Sequence, residues 1–519
     1  MEKMSTTKLN YKRTLLVGFA FFLIIAFWQA YDNIIPKILT DKFGLSQTWS
    51  GAIMALDNLL ALLLLPFFGS LSDKCRSKYG KRTPFILIGT ILAIVLFVGL
   101  SFVDQMQLSR IREVADIDSQ TALEQIYDSC AEKKLKTPDG EVYVLKDLYT
   151  REAFSSIRPI IKSEGGKSEN NPKYIDHVVP ARQSYAWQKT IESPMTLVFF
   201  ILILLFILIS MGVFRSPAVA LMPDVTPKPL RSKANAVINL MGSIGGALVL
   251  VLGMMFGTGN PENALMSYQP FFVAVAGIMI VSLFIFVFTV KETRWAKEAE
   301  AGYDDDDGEK IELGRRKITQ AELRSLVLIL FSVALWYMGY NAVTSKYSVY
   351  ADKVLGLDYN MTLLIAQAAA IAAYLPIGML SSRFGRKKMI LVGVLILASS
   401  FGAASFLRGG TNVMVMTILF ALAGIGWATI NVNSYPMVVE LARGGDVGKY
   451  TGYYYTASML AQAFTPVLSG LFMDKIAFTM LFPYATAFVI LSFVTMLLVR
   501  HGDVKPEAPK GIDAFAGDD

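Results

Sequence analysis

Two kinds of reactive side chain are nearly missing from these 519 residues, which hold 2 cysteines and 2 histidines. Cys75 and Cys130 form no CxxC pair and no metal-ligand spacing, which argues against a disulfide framework or a zinc site. His177 and His501 both fall outside the apolar segments, so an intramembrane proton relay has no imidazole to use. Charge is also scarce, at 18% of residues, where soluble domains carry roughly a quarter. No nucleophile–base constellation stands at helix-compatible spacing, so neither an enzyme nor a cofactor is expected.

Apolar residues fill the space, at 54% of the chain. They cluster in runs near the ~20 residues that a helix needs to cross a bilayer. The first six are Thr14 to Ile38, Trp49 to Leu71, Pro84 to Val103, Met195 to Met222, Asn235 to Phe256 and Pro270 to Val290. The second six are Ser325 to Tyr347, Met361 to Leu380, Met389 to Leu407, Val413 to Met437, Tyr450 to Met473 and Met480 to Val499. The first run is too long for a signal-peptide core and no small-x-small cleavage site follows, so it reads as a span. Twelve spans in an all-α membrane protein are the expectation.

The net charge of +7 follows from topology, with no need for a nucleic-acid partner. With a cytoplasmic N-terminus and alternating spans, 29 Lys and Arg lie on cytoplasmic segments. The short outer loops hold 6: Lys37, Lys42, Lys346, Lys353, Arg408 and Lys475. That asymmetry places both termini in the cytoplasm of a multi-pass protein of the cell membrane.

The chain repeats itself. GSLSDKCRSKYGKRTPFILIG follows span two and GMLSSRFGRKKMILVG follows span eight, related by an offset of 305 from Gly80 to Gly385. PDVTPKPLRSKAN follows span four and VELARGGDVGKYT follows span ten, related by 216 from Asp224 to Glu440. The offsets differ by 89, and the polar stretch between spans three and four, 104–193, is 90 residues long. This stretch is therefore an insertion, extracytoplasmic by alternation and expected to fold as a small, partly helical unit. The division that follows is 1–103 and 194–290 for the first bundle, 291–324 for a solvated linker, 325–500 for the second bundle and 501–519 for a cytoplasmic tail. The linker holds the acidic run Asp304 to Asp307, which lacks the alternating ligands of a calcium loop.

The first repeat motif resembles the cytoplasmic signature of the major facilitator superfamily, carried here by Gly69, Asp73, Lys74, Gly80, Lys81 and Arg82. Its long form, SDKCRSKYGKRTPFI, together with RSPAVALMPDVTPKPLRSKANA, is similar to the sucrose/proton symporter branch, with glycoside-pentoside-hexuronide-like relatives. The resemblance implies two pseudo-symmetric six-helix bundles and proton-coupled sugar symport by alternating access. It also implies a cytoplasmic gate of Gly69, Asp73, Gly80, Lys81, Arg82, Asp224, Arg383, Arg386 and Glu440, with Asp73 held on the facing bundle. Departures exist. Ala61 and Leu65 stand where melibiose-type symporters carry paired aspartates, which argues against sodium coupling of that kind. Val219 stands where plant sucrose carriers have an arginine, and Ser382 replaces an aspartate of the second motif copy.

A charge at the membrane centre costs at least ~2.5 kcal/mol, so such residues face a partner or a cavity. Asp32 in span one, Asp57 in span two and Arg215 in span four are the candidates. Without histidine, proton coupling falls to a buried carboxylate, Asp57 or Asp32. Arg215 is the expected counter-charge or sugar ligand; its bland reading is a snorkelling side chain. Sugar binding needs donors, acceptors and aromatic faces. Gln29, Asn33, Asn58, Asn341, Gln367 and Asn431 supply the first two, and Trp28, Trp336 and Trp427 the third. The combination favours a neutral polyol, probed as a disaccharide or glycoside, carried by a monomer. The rivals are a drug or organic-ion antiporter of the same fold and a non-transporting receptor that uses the insertion as its ligand module.

Overall fold

The computed structural model describes residues 9–116, 118–162, 168–226, 231–301, 319–441 and 447–502. The first bundle begins with α1 (Tyr11–Lys37), started by the Asn10 side chain on the Arg13 amide and extended through a wider π turn, Ile38–Lys42. Next come α2 (Gln47–Asp73), capped by Ser46, and α3 (Thr83–Arg110), which starts on Pro84 where a missing N–H costs nothing. After the insertion, α8 (Met195–Asp224), α9 (Arg231–Phe256) and α10 (Gln269–Thr289) complete six long helices.

The insertion contributes α4 (Gln120–Cys130), α5 (Leu145–Leu148), α6 (Arg151–Ser155) and α7 (Val179–Glu192). Two hairpins join them: β1 (Lys134–Lys136) with β2 (Val142–Val144), and β3 (Ile160–Lys162) with β4 (Ser168–Asn170). Leu123, Ile126, Cys130, Phe154, Val178 and Tyr185 bury a core of its own, which also takes in Leu265 from the first bundle. The polar stretch expected to start at residue 104 starts later. Helix α3 continues to Arg110, and Asp104 is fully buried.

The linker is ordered at its start as α11 (Glu292–Ala301), with Glu292 and Trp295 buried. This corrects the expectation of a wholly solvated linker; the Asp304 to Asp307 run lies outside the described residues. The second bundle has α12 (Gln320–Tyr350), α13 (Tyr359–Phe384), α14 (Arg386–Ala404), α15 (Val413–Glu440), α16 (Val447–Lys475) and α17 (Leu481–Leu497). Helix α12 opens on a Thr319–Glu322 capping box and, like α1, runs on into a π turn, Ala351–Leu355.

Eleven of these helices are long and apolar enough to cross a membrane. The twelfth long helix, α13, has 26 residues, which at ~1.5 Å each also suffice to span. Each bundle packs its own apolar core. The two meet where glycine permits close crossing. A Cβ on Gly51 of α2 would collide with the backbone at Pro466 of α16, and one on Gly470 with the backbone at Gln47.

Candidate functional site

Between the bundles lies a cavity of about 360 Å³. Helix α1 supplies Gln29, Asp32 and Asn33, and α9 supplies Ser243. Across from them stand Tyr340 and Thr344 of α12, Gln367 and Tyr374 of α13, and Trp427 of α15. Helical spacing explains the grouping on α1, since residues 29, 32 and 33 share one face. Asn33 is held by its amide donating to the Gln29 carbonyl at 2.9 Å. Gln367 donates to the Ser243 carbonyl at 2.8 Å, linking the second bundle to the first at the cavity wall. Trp427 stacks on Tyr340 with ring centroids 3.6 Å apart and planes within 1°. The stack presents a rigid apolar wall among polar groups.

A smaller pocket beside it joins Trp28, Asp57 and Arg215. The Arg215 guanidinium carbon sits 5.4 Å from the centre of the Trp28 ring, within range of a cation–π contact. Asp57 accepts from the Asn58 backbone amide at 2.5 Å and from its side-chain amide at 2.6 Å. Asp32 follows Trp28 by one turn, and Asp32, Asp57 and Arg215 lie within electrostatic reach of one another. Two acids and one base thus occupy a protein interior, where each interaction is far stronger than in water. The Trp28 Nε1 and the Tyr31 hydroxyl beside them are buried and have no hydrogen-bond partner among the described residues.

Other candidates fall elsewhere. Trp336 is fully buried in the core of the second bundle and lines no part of the cavity. Residue type alone groups it with Trp427, but its face of α12 turns into the bundle; Tyr340, one turn on, takes the lining position. Asn58 is occupied by Asp57. Asn341 lines neither pocket; its side-chain oxygen accepts from the hydroxyl of Thr344, which lines the cavity, at 3.2 Å. Asn431 is half-buried and lines neither pocket.

The expected gate residues of the first bundle come together around Arg82. Arg82 pairs with Asp73, and its Nε donates to Asp224 at 2.8 Å; all three belong to the first bundle. Arg82 also reaches Ser72 and the Gly69 carbonyl. Asp73 is 61% exposed, and its ion pair among the described residues is with Arg82 of its own bundle. Gly80 adopts φ +118° against Glu292. Glu292, not singled out in the sequence, accepts from the amides of Lys81 (2.6 Å), Arg82 (2.9 Å) and Thr83 (2.8 Å) and from the Thr83 hydroxyl (2.7 Å). A buried carboxylate thereby caps the start of α3. Arg386 donates to the Pro436 carbonyl at 3.4 Å. The side chains of Arg383 and Glu440 lie outside the described residues.

The bundles are joined by charge on the insertion face. Lys37 pairs with Asp352 at 3.5 Å, and Lys353 with Asp41 at 3.2 Å, both across the bundle boundary. Lys42 holds Asp104 at 2.6 Å within the first bundle. Lys346 donates to the Gln47 carbonyl at 2.7 Å, and Asp474 accepts from the Gln47 and Thr48 amides at 2.9 and 2.6 Å. Lys37, Lys42, Lys346 and Lys353, four of the six basic residues assigned to outer loops, are buried. The hydropathy window ends at a charge, whereas α1 and α12 do not.

Residues 190–373 and 360–516 match the family model described as Major Facilitator Superfamily, and residues 16–115 match one described as MFS/sugar transport protein. Over 67 residues, 13% of this chain and 11% of the relative, the chain is 39% identical to sucrose transport protein SUC3 of Arabidopsis thaliana. Over 50 residues it is 38% identical to sucrose transport protein SUC4 of the same plant, covering 10% of each chain. The chain thus aligns with about a tenth of the length of these curated relatives. The fold is similar to the inward open xylose transporter XylE from E. coli (TM-score 0.59, 15% identity, 96% of this chain and 98% of that one). It is also similar to a D-xylose-proton symporter (TM-score 0.60, 14% identity, 95% and 99% coverage).

Proposed function

Because the chain belongs to the Major Facilitator Superfamily, we propose that it is a secondary active transporter that carries a neutral sugar together with a proton by alternating access. The observation that carries this reading is the cavity itself. It sets an acid, two amides and a serine of one bundle against two tyrosines, a threonine, a glutamine and a tryptophan of the other. Sugar hydroxyls need paired donors and acceptors, and the Tyr340–Trp427 stack offers an apolar face to a sugar's C–H surface. The names of the sucrose and xylose carriers above support the same substrate class.

The proton has a place to act. With Asp32 and Asp57 both ionised, Arg215 has two competing partners and the site carries excess negative charge. A proton on one carboxylate removes that charge and frees Arg215 to serve the other or the sugar. Coupling then needs only that sugar and proton each favour the same arrangement of the bundles. The excess of Lys and Arg on one set of segments supports cytoplasmic termini and a cytoplasmic α11, with the insertion outside. The sealed insertion face and the exposed Asp73 support an inward-facing state. The working unit is proposed as a monomer in the cell membrane.

The test is uptake of labelled sucrose and glucosides into proteoliposomes under an imposed pH gradient. Accumulation that follows the gradient supports the reading; accumulation that follows sodium and ignores pH sinks proton coupling. Solutes of drug-like character exchanged in place of sugars would favour the antiporter.

A further inference from the structure

The insertion is fastened to both bundles, but unequally. Its chain emerges from α3 and returns into α8, both in the first bundle. Gln183 of α7 donates to the Leu45 carbonyl at 2.9 Å, and Gln107 of α3 donates to Thr190 at 3.1 Å. The insertion core also shares Leu265 with the first bundle. These ties are covalent, buried or both.

Its ties to the second bundle are of another kind. The β1–β2 turn reaches across the seam. Lys136 donates to the carbonyls of Asp474 (3.1 Å) and Lys475 (2.9 Å) at the end of α16. The Thr479 amide donates to the Pro138 carbonyl at 3.4 Å. Asp139 pairs with Arg408 at 3.2 Å, both half-exposed. One contact touches the buried charges directly: Lys353, already paired with Asp41, donates to the Gln183 side-chain oxygen at 2.7 Å. Gln183 therefore joins Leu45 of one bundle to Lys353 of the other through its own amide.

We propose that the insertion is the latch of the outer gate: it rides on the first bundle, and its turn 136–140 and Gln183 must release the second bundle each time the transporter opens outward. Lys136, Asp139 and Gln183 are positioning residues in this scheme. They touch no substrate and act through Lys353, Asp474 and Arg408 on the separation of the bundles. The Lys136 and Asp139 contacts are polar and near solvent, so water replaces them when the bundles part. The insertion is covalently continuous with the first bundle at both of its ends, so it travels with that half. The inference rests on the alternating-access reading above, and its test is chosen to separate the two.

In a Cys75→Ser, Cys130→Ala background, Pro138→Cys and Thr479→Cys place two thiols across a backbone hydrogen bond, a spacing compatible with a disulfide. Spin labels at Glu262→Cys and Thr411→Cys, which line one surface cleft from opposite bundles, report the outer separation in separate preparations. The combined Lys136→Ala, Asp139→Asn and Gln183→Ala variant should add a longer-distance population to that distribution. The disulfide-locked protein, its outer opening followed by a thiol-independent fluorescent pair at the same sites, should lose that population. Labelled sucrose uptake should fall at least tenfold and recover on reduction. A distance distribution unmoved by the triple variant overturns the latch. So does a fully locked protein that transports at the unlocked rate. Should the unlocked protein carry no sucrose, the sugar reading fails, and the distance change alone decides the latch.

Discussion

Lys37 of α1 and Asp352 beyond α12 form an ion pair across the bundle boundary at 3.5 Å, and Asp41 and Lys353 repeat it with the signs exchanged at 3.2 Å. Two helices whose π turns begin 313 residues apart in sequence, at Ile38 and Ala351, thus end in equivalent turns that hold each other. The exchange makes the junction testable one charge at a time.

Lys37→Met should leave Asp352 buried with less compensation. Breaking one partner of a buried pair typically costs about 3 kcal/mol, somewhat less here because Lys353 and Arg182 also act on Asp352. The cost falls on the closed arrangement, so the outer-face label distances should lengthen. The exchange Lys37→Asp with Asp352→Lys should restore the short distances; a double variant as open as the single one would refute the pairing.

Asp57→Asn should abolish gradient-driven accumulation while sparing sugar exchange, because an amide mimics the protonated acid and cannot release a proton. Asp32→Asn tests the second acid in the same way. The counterflow assay measures exchange separately. An Asp57→Asn protein that still accumulates sugar at the original ratio would leave Asp57 a structural acid held by Asn58.

Trp427→Ala removes the apolar wall and should raise KM for the transported sugar about tenfold, the equivalent of ~1.4 kcal/mol. Trp336→Phe should leave KM within about twofold and instead lower the melting temperature, since it changes buried packing. A larger KM effect at Trp336 than at Trp427 would contradict the cavity lining described above.

Glu292→Ala strips the cap from α3 and should destabilise the protein by about 2 kcal/mol, read as a lower melting temperature in detergent. Glu292→Gln keeps an acceptor and should recover part of the loss.

His177 sits between the rings of Tyr143 and Tyr149, and partial burial pushes its pKa below the ordinary 6.5, against the smaller opposing pull of Asp176. The unfolded insertion therefore binds a proton more readily than the folded one. Its stability is full above about pH 6.5 and declines as pH falls through that value toward the lower folded-state pKa. Amide protection in 120–192, taken relative to the intrinsic exchange rate at each pH, should fall at pH 5.5 relative to pH 7.5, and His177→Phe should flatten the difference.

The membrane architecture was legible because its cause is local: apolar runs long enough to span leave a signal in any window. The insertion was legible by register, since two motif pairs kept different offsets on either side of it. Asp32, Asp57 and Arg215 were legible because charge inside an apolar run demands an explanation. What stayed hidden depends on where helices end and which face they turn. Lys42 and Lys353 lie beyond the apolar runs and read as loop residues, yet α1 and α12 continue through π turns that bury them. Trp336 and Trp427 are the same residue type on spans of equal standing, and only packing tells them apart. Glu292 lies 211 residues from Lys81 and bears no mark of its partner.

The paired π turns have an electrical consequence. Lys37 and Asp41 stand four residues apart on one half, and Asp352 and Lys353 are adjacent on the other. When the halves separate, each leaves with one positive and one negative group: Lys37 and Asp41 at i,i+4 spacing on one side, and Asp352 and Lys353 within electrostatic reach of each other on the other. Neither half is left with a net charge from this set, so the membrane voltage exerts little pull on the junction as it parts. The voltage is left to act on the proton and on the charges beside the sugar.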